Sequence, residues 1–214
     1  ALKIMSPGIP DIYQGNELWE FSMADPDNRR AVDFGLRERL LLTLPAKLQS
    51  ESGADGTVPS GGCLAKSSPR GLADLLAALR ESWWDGRLKL FVTMSALQHR
   101  KQMPGRFRPA AGRGTRYVPL PVVGTHSEHV VAFARGEGDD WTLCMTPRLT
   151  SGVAAEPGIW PLGDLWEDTC VRLPDEFPRE WVDVFSGRTL VAAVNCVPLA
   201  EAFSELPLAV LSST

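Results

Sequence analysis

The chain has 214 residues, of which 44% are hydrophobic and 22% are charged, and it carries a formal net charge of −4. This composition is typical of a globular protein with one sizeable core or two small ones. An acidic chain does not readily replace the counterions of phosphates, so we expect no nucleic-acid partner. No apolar run approaches the roughly 18 residues that span a bilayer, and no export signal is visible, so we expect a cytoplasmic protein without a membrane partner.

The segment of residues 6–34, SPGIPDIYQGNELWEFSMADPDNRRAVDF, concentrates acids, amides, arginines and aromatics. Pro10 to Gln14 predicts a short strand, since proline is tolerated at a strand's first position and Gly15 can end it. A polar loop then runs to about Asp33. Carboxylates accept hydrogen bonds in pairs and guanidinium groups donate in a fixed fork, so this loop has the side chains that bind sugar hydroxyls.

Leucines at helical spacing predict a helical first half of the chain. Asp85 is the expected N-cap of the third helix, which should stop at Pro104. Between the first and second helices, Gln49 to Arg70 is rich in serine, glycine and proline and predicts a long surface loop. The three predicted helices contain Leu36 to Leu44, Leu72 to Leu79 and Leu88 to Ala96.

From Tyr117 the hydrophobic period changes from about 3.6 to about 2, which is typical of strands. Gly-Glu-Gly-Asp predicts a hairpin turn, and Ser186-Gly187 predicts a tight turn between antiparallel strands. The predicted fold class is α+β, with a helical part over residues 1–115 and an antiparallel β-sandwich domain over 116–214. The predicted strands are 129–135, 141–146, 169–173, 180–185, 188–194 and 206–211.

The cysteines and histidines give no metal-binding pattern. The cysteines are widely spaced without a C-x-x-C pair, so we expect free thiols. His126 and His129 form an H-x-x-H pair without a third ligand, and His99 is expected to be solvated or to lie at a helix C-terminus. The sequence therefore predicts neither a metal nor a cofactor. The cysteines are Cys63, Cys144, Cys170 and Cys196.

Two strings in the opening segment, PGIPDIYQGNELW and DPDNRRAVDF, resemble maltooligosyl trehalose synthases, a branch of the α-amylase superfamily. DGRLKLFVT, EHVVAFAR, VRLPDE and WVDVFSGR resemble that family's closing helices and C-terminal β domain. Ala31 departs from the motif, where the family has proline, and should loosen the loop. The resemblance implies a (β/α)₈ barrel whose last strand is Pro10 to Gln14, followed by a loop that faces the substrate.

The resemblance also implies a reaction. These enzymes convert the reducing-end α-1,4 linkage of a maltooligosaccharide into an α,α-1,1 linkage, with retention at the transferred centre. Retention needs a carboxylate nucleophile and an acid/base carboxyl roughly 5 to 5.5 Å apart, and in this family both come from earlier strands. We therefore assign no catalytic residue and expect a C-terminal portion that is inactive alone. Its expected partners are a maltooligosaccharide and either the rest of the barrel or a second copy.

The charged and polar residues of the opening loop are candidate sugar contacts. Alternatively, the same residues form local salt bridges at the entry to a helix. Arg30 and Asp33 are the strongest candidates, as a hydroxyl donor and its orienting partner. Glu17 could bind sugar or orient a basic group, and Trp19 could stack on a pyranose or cap the core. For Trp83 and Trp84, packing is favoured over a sugar platform. The full substrate-binding set is Arg30, Asp33, Asp27, Asn28, Arg29, Glu17 and Trp19.

Two other functions remain open from the sequence. The chain could be a non-catalytic α-glucan-binding module, or the tail of another α-amylase-type glucosidase, because a Y-Q-G-x-E strand end is shared widely in that superfamily. A barrel strand without its neighbours exposes an edge and apolar faces. We therefore expect the opening segment to be displaced from a sheet or paired with a second copy.

Overall fold

The computed structural model describes residues 1–22, 29–44, 69–108 and 115–214. Two compact units are present, one formed by Asp11–Met94 and the other by Ala1–Pro10 together with Ser95–Thr214. This division does not coincide with the boundary near residue 115 that the sequence suggests. The helices of the described residues are α1 (Leu2–Met5), α2 (Phe34–Thr43), α3 (Pro69–Glu81), α4 (Arg87–Gln102), α5 (Pro104–Phe107) and α6 (Leu199–Ala202).

The three predicted helices are confirmed as α2, α3 and α4. Asp33 begins α2 as its N-cap, and Asp85 accepts a hydrogen bond from the Arg87 N–H at 2.9 Å at the start of α4. α4 ends at Gln102, two residues before Pro104. Proline has no backbone N–H to donate and therefore cannot continue the helix. Most of the predicted loop Gln49 to Arg70 lies outside the described residues, but Pro69 and Arg70 already belong to α3.

The predicted strand at Pro10 to Gln14 is not formed. Residues 10–13 have no regular structure, and residues 14–17 form a turn. A strand is stable only when neighbouring strands satisfy its backbone N–H and C=O groups, and the described residues place none beside this segment. The segment is thus outside any sheet, as expected for a barrel strand without its neighbours.

Nine strands form two antiparallel sheets within the described residues. The larger sheet has the order β1-β3-β4-β9-β6-β7 and the smaller one β2-β5-β8. The mixture of helices and antiparallel sheets agrees with the predicted α+β class. The strands are β1 (Arg116–Pro119), β2 (Val122–Val123), β3 (Val130–Glu137), β4 (Asp140–Pro147), β5 (Cys170–Arg172), β6 (Glu180–Asp183), β7 (Thr189–Val191), β8 (Cys196–Pro198) and β9 (Ala209–Ser213).

Both turns predicted from glycine-containing pairs are confirmed. β3 and β4 pair in continuous register from Val130↔Pro147 to Glu137↔Asp140. β6 pairs with β7 on either side of Ser186-Gly187. β1, β2 and β8 lie outside the strands predicted from the sequence.

Three tryptophans of the β part are fully buried. Trp141 stacks on Phe177 with ring centroids 4.2 Å apart, and Trp166 and Trp181 belong to the same hydrophobic cluster. This cluster also contains Val171 of the smaller sheet, so the two sheets share one core. Burial of large aromatic rings supplies much of the stability of such a core.

His99 lies in the last turn of α4, as one of its two predicted roles requires, but it is not solvated. His99 is only 4% exposed, and its Nε2 lies 2.8 Å from the Thr142 hydroxyl. Arg106 is equally buried and donates to Asp140 at 2.6 Å and to Ser212 at 2.7 Å. Hydroxyls and a carboxylate on β4 and β9 satisfy these buried groups.

The prediction of free thiols is also wrong for two cysteines, because Cys170 and Cys196 form a disulfide. β5 pairs with β8 so that Arg172 lies opposite Cys196, which makes the two cysteines diagonal neighbours with Cα atoms 5.9 Å apart. That separation suits a disulfide. Cys144 is a free, buried thiol in β4, and Cys63 lies outside the described residues.

Candidate functional site

Arg37 closes the turn at the start of the opening loop. Its Nη2 donates to the Gly15 carbonyl at 2.8 Å, and its Nε lies 2.9 Å from a Glu17 carboxylate oxygen. The same oxygen accepts the Gly15 N–H at 3.0 Å. Gly15 has φ +94°, a backbone conformation that favours glycine. Glu17 therefore orients a basic group, which is one of the two roles that the sequence suggested for it.

Asp33 occupies the N-cap of α2. Its Oδ1 accepts the Leu36 N–H at 2.7 Å, and its carbonyl accepts from Arg37 at 3.1 Å. An aspartate at this position satisfies one of the unpaired N–H groups of a helix start. The Asp33 side chain is exposed at the helix entry, so the capping role leaves the carboxylate open to solvent.

Trp19 is fixed against the 3-10 turn Trp83–Asp85. Its indole Nε1–H donates to the Trp83 carbonyl at 2.7 Å, and the two indole rings meet edge to face with centroids 5.9 Å apart. The Lys89 ammonium lies 5.2 Å from the centroid of the Trp19 ring and donates to the Leu18 carbonyl at 2.8 Å. Trp19 remains 39% exposed, so it is anchored at the surface of its unit and does not lie in a core.

Of the packing role expected for Trp83 and Trp84, the structure shows an edge-to-face contact of Trp83 with Trp19, and neither residue lies in a core. Trp83 is 46% exposed and Trp84 is 66% exposed. The turn that carries them lies at the surface of its unit and ends at Gly86, whose φ is +83°. A Cβ atom on Gly86 would lie 3.2 Å from the Leu18 Cβ, so the loop and the turn approach closely here. The sequence could not reveal the pairing of Trp83 with Trp19, because 64 residues separate them.

The other predicted contacts lie around the same loop. Arg29 and Arg30 are exposed just before α2, whereas Asp27 and Asn28 lie outside the described residues. Hydrogen bonds from Ser22 lower the pKa of Glu20, and the charge of Arg30 adds a smaller effect in the same direction. Arg30 is thus near a carboxylate of the opening loop.

The described part of the chain contains no group of three or more histidine, cysteine, aspartate or glutamate side chains that could hold a metal ion. No helix in that part is both long and apolar enough to cross a membrane. What the opening loop offers is exposed carboxylates, guanidinium groups and indole rings on an internally bonded backbone. Such groups can bind a neutral polyhydroxylated ligand by hydrogen bonds and stacking.

Comparison with known proteins supports the resemblance read from the motifs. No family model matches the chain. The chain is 30% identical, over 210 residues or 98% of its length, to putative maltooligosyl trehalose synthases of two strains of Mycobacterium tuberculosis, and it covers 19% of each. A solved mutant of maltooligosyltrehalose synthase from Arthrobacter ramosus matches with a TM-score of 0.60 and 28% identity, over 100% of this chain and 21% of that one. The chain is therefore similar, over nearly all of its length, to about one fifth of a maltooligosyl trehalose synthase.

Proposed function

We propose that this chain is a C-terminal portion of a maltooligosyl trehalose synthase, in which it forms one wall of the sugar site. The observation that carries the proposal is the match to these enzymes in sequence and fold over 98% to 100% of the chain. The whole enzyme would convert the reducing-end α-1,4 linkage of a maltooligosaccharide into a trehalose end. The catalytic carboxylates would belong to the remainder of the enzyme.

In this proposal the opening loop contacts the substrate. Arg30 donates to sugar hydroxyls with Asp33 beside it, and Trp19 stacks on a glucose ring. Asp27, Asn28 and Arg29 complete the polar wall, and Glu17 acts through its ion pair with Arg37, which fixes the loop at its start. A wall of this kind also keeps water from the glycosyl-enzyme, since retaining transfer between sugars fails if water reaches the intermediate.

We further propose that the unit Asp11–Met94 is the end of a (β/α)₈ barrel and that residues 116–214 form a sandwich-type β domain. The support for the barrel end is the exposure of apolar side chains: α2 buries none of its own residues, and Phe34, Leu42 and Phe21 are all exposed. Contiguous apolar surface normally lies against another protein surface. The remainder of the barrel, or a second copy of the chain, would cover it.

The proposal predicts that the chain alone does not catalyse the reaction. The isolated chain would be incubated with maltohexaose, and the non-reducing product would be assayed. We expect none, because neither catalytic carboxyl belongs to this chain. Formation of that product by the pure chain would contradict the proposal that the catalytic carboxylates belong to the remainder of the enzyme.

The exposed pair Trp19 and Trp83 favours one alternative, an α-glucan-binding module without chemistry. Calorimetric titration with maltohexaose separates the two functions. A binding module should bind with about micromolar affinity on its own, whereas one wall of a larger site should bind only at about millimolar concentrations, because most of its contacts are absent.

A further inference from the structure

We propose that Trp19 and Trp83 form a corner that holds one glucose unit of an α-1,4-glucan, with Lys89 at its rim. We call this feature the tryptophan corner. The inference rests on the proposed function for its ligand class. It deepens that function by adding Trp83 and Lys89, which the sequence motifs do not indicate, as contacts of the same site.

The two indole rings form walls at nearly a right angle. Their planes are inclined at 83° with centroids 5.9 Å apart, and the two residues are 39% and 46% exposed to solvent. Lys89 lies over one face of Trp19. A sugar ring can therefore stack on the remaining indole surface while the second ring bounds it from the side.

The corner is rigid before any ligand arrives. The Trp19 Nε1–H bond to the Trp83 carbonyl fixes one wall, and the close approach of Gly86 to Leu18 fixes the turn behind it. The turn is further held by Asp85, whose carboxylate lies 2.7 Å from the Arg87 Nε. A preorganised surface loses little conformational entropy when it binds a ligand.

The rim of the corner indicates a neutral polyhydroxylated ligand. A pyranose has an apolar C–H face that stacks on an indole and hydroxyls that need donors and acceptors at its edge. Lys89, which lies over Trp19 and donates to the Leu18 carbonyl, supplies donors at this rim. Burial lowers the pKa of Lys89, whereas the charges of Glu17 and Glu20 raise it, so these carboxylates offset part of the ammonium charge. A rim with one partly offset charge matches a ligand without net charge better than an apolar helix.

Trp84 provides a matched control on the same turn. It is more exposed than Trp83, but successive side chains of a 3-10 turn point about 120° apart, so the two indoles do not share one surface. If any exposed indole increased the affinity for sugar, removing Trp84 would weaken binding as much as removing Trp83. If the sugar binds in the corner, removing Trp84 does not weaken binding.

The test is a titration of the full chain with maltohexaose, followed by the ¹H–¹⁵N signals of the indole groups. The chain has seven tryptophans, and Trp→Phe variants assign their signals. We expect the Trp19 and Trp83 signals to shift together. We also expect W19A and W83A each to weaken binding about tenfold while W84A leaves it unchanged. W83A keeps the backbone carbonyl that anchors Trp19, so its effect reports the indole ring itself.

Three results would overturn the tryptophan corner: no shift of either signal, equal weakening by W84A, or equal shifts with cellohexaose, a β-linked glucan. W19F tests the ring independently of the indole N–H, and we expect it to bind more tightly than W19A. Unchanged backbone amide signals from the buried Leu72 and Leu76 show that the unit Asp11–Met94, which carries the substitutions, is folded in each variant. If the tryptophan corner is overturned, the proposed function still stands. That function is tested separately by replacing the matched segment of a related synthase with this chain.

Discussion

His99 shows how one side chain departs from its sequence context. It precedes Arg100 and Lys101 near the end of α4, yet it is buried against Thr142. Burial and, to a smaller extent, the charge of Arg106 lower its pKa to about 4 against the opposing effect of Asp140. His99 is therefore neutral near pH 7. Its hydrogen-bond partner Thr142 lies 43 residues away in the chain, on β4, where local sequence could not reveal it.

This burial predicts a loss of stability in mild acid. The pKa of His99 falls on folding from its ordinary value of 6.5, so the unfolded chain binds a proton between about pH 6.5 and pH 4 and the folded chain does not. The free energy of unfolding should therefore decrease as the pH falls through this window, by up to about 3 kcal/mol. Urea unfolding at several pH values measures it. His99→Gln should remove most of this decrease, whereas His126→Gln should keep it; equal slopes in all three proteins would contradict the assignment.

A second prediction for a single residue concerns Arg37. R37A removes the ion pair with Glu17 and the bond to the Gly15 carbonyl, and the partly buried Glu17 carboxylate loses its partner. We expect the turn at residues 14–17 to open more easily by about 1–2 kcal/mol, seen as roughly tenfold faster amide exchange at Gly15. R39A, on the exposed side of the same helix, is the control. Exchange at Gly15 that is the same in both variants would show that Arg37 does not hold this turn.

At the scale of elements, local sequence patterns predicted the helices and hairpin turns, because residues close together in the chain determine them. Leucine spacing located α2, α3 and α4, and two glycine-containing turns located the hairpins β3–β4 and β6–β7. The Pro10 to Gln14 strand was wrong, because a strand also needs neighbours. The Cys170–Cys196 bond was missed, because it depends on the register of β5 against β8, which no local pattern encodes.

The β3–β4 hairpin offers a matched pair of glycines. A Cβ atom on Gly136, where φ is +148°, would lie 2.0 Å from the Asp140 carbonyl oxygen, whereas one on Gly138, where φ is +60°, meets nothing within 4 Å. G136A should therefore lower the free energy of unfolding by at least about 2 kcal/mol, and G138A by about 1 kcal/mol or less. Thermal unfolding of both variants compares them. A G138A loss as large as that of G136A would be inconsistent with this hairpin geometry.

The disulfide should stabilise the smaller sheet. It closes a loop of 26 residues, and a link of that span lowers the entropy of the unfolded chain enough to contribute about 3 kcal/mol. The double variant Cys170→Ser and Cys196→Ser should lose about this amount of unfolding free energy. Dithiothreitol should destabilise the wild type similarly and leave the double variant unchanged. An unchanged wild type in dithiothreitol, with loss of the bond verified by thiol titration, would contradict the expected role.

At the scale of the whole molecule, the motifs predicted a kind of ligand but few of the contacts within the fold. They predicted a sugar site in the opening loop and named Trp19 and Glu17 among its residues. They could not indicate Arg37, Trp83 or Lys89, which reach that loop from three separate helical or turn segments. Such contacts between distant parts of a chain depend on folding, which a motif read along the chain does not record.

We propose that this chain corresponds to about one fifth of an enzyme that forms a trehalose end on maltooligosaccharides. Replacing the corresponding fifth of a related enzyme by this chain tests that proposal directly. The matched segment of the mycobacterial relative would be replaced by this chain, and the product formed from maltohexaose would be assayed. The relative lacking the segment and the relative with its own segment restored are the controls. We predict that the exchanged enzyme forms the non-reducing product and that the shortened one does not. A folded exchanged enzyme that is no more active than the shortened one, or that releases free glucose instead, would contradict the account.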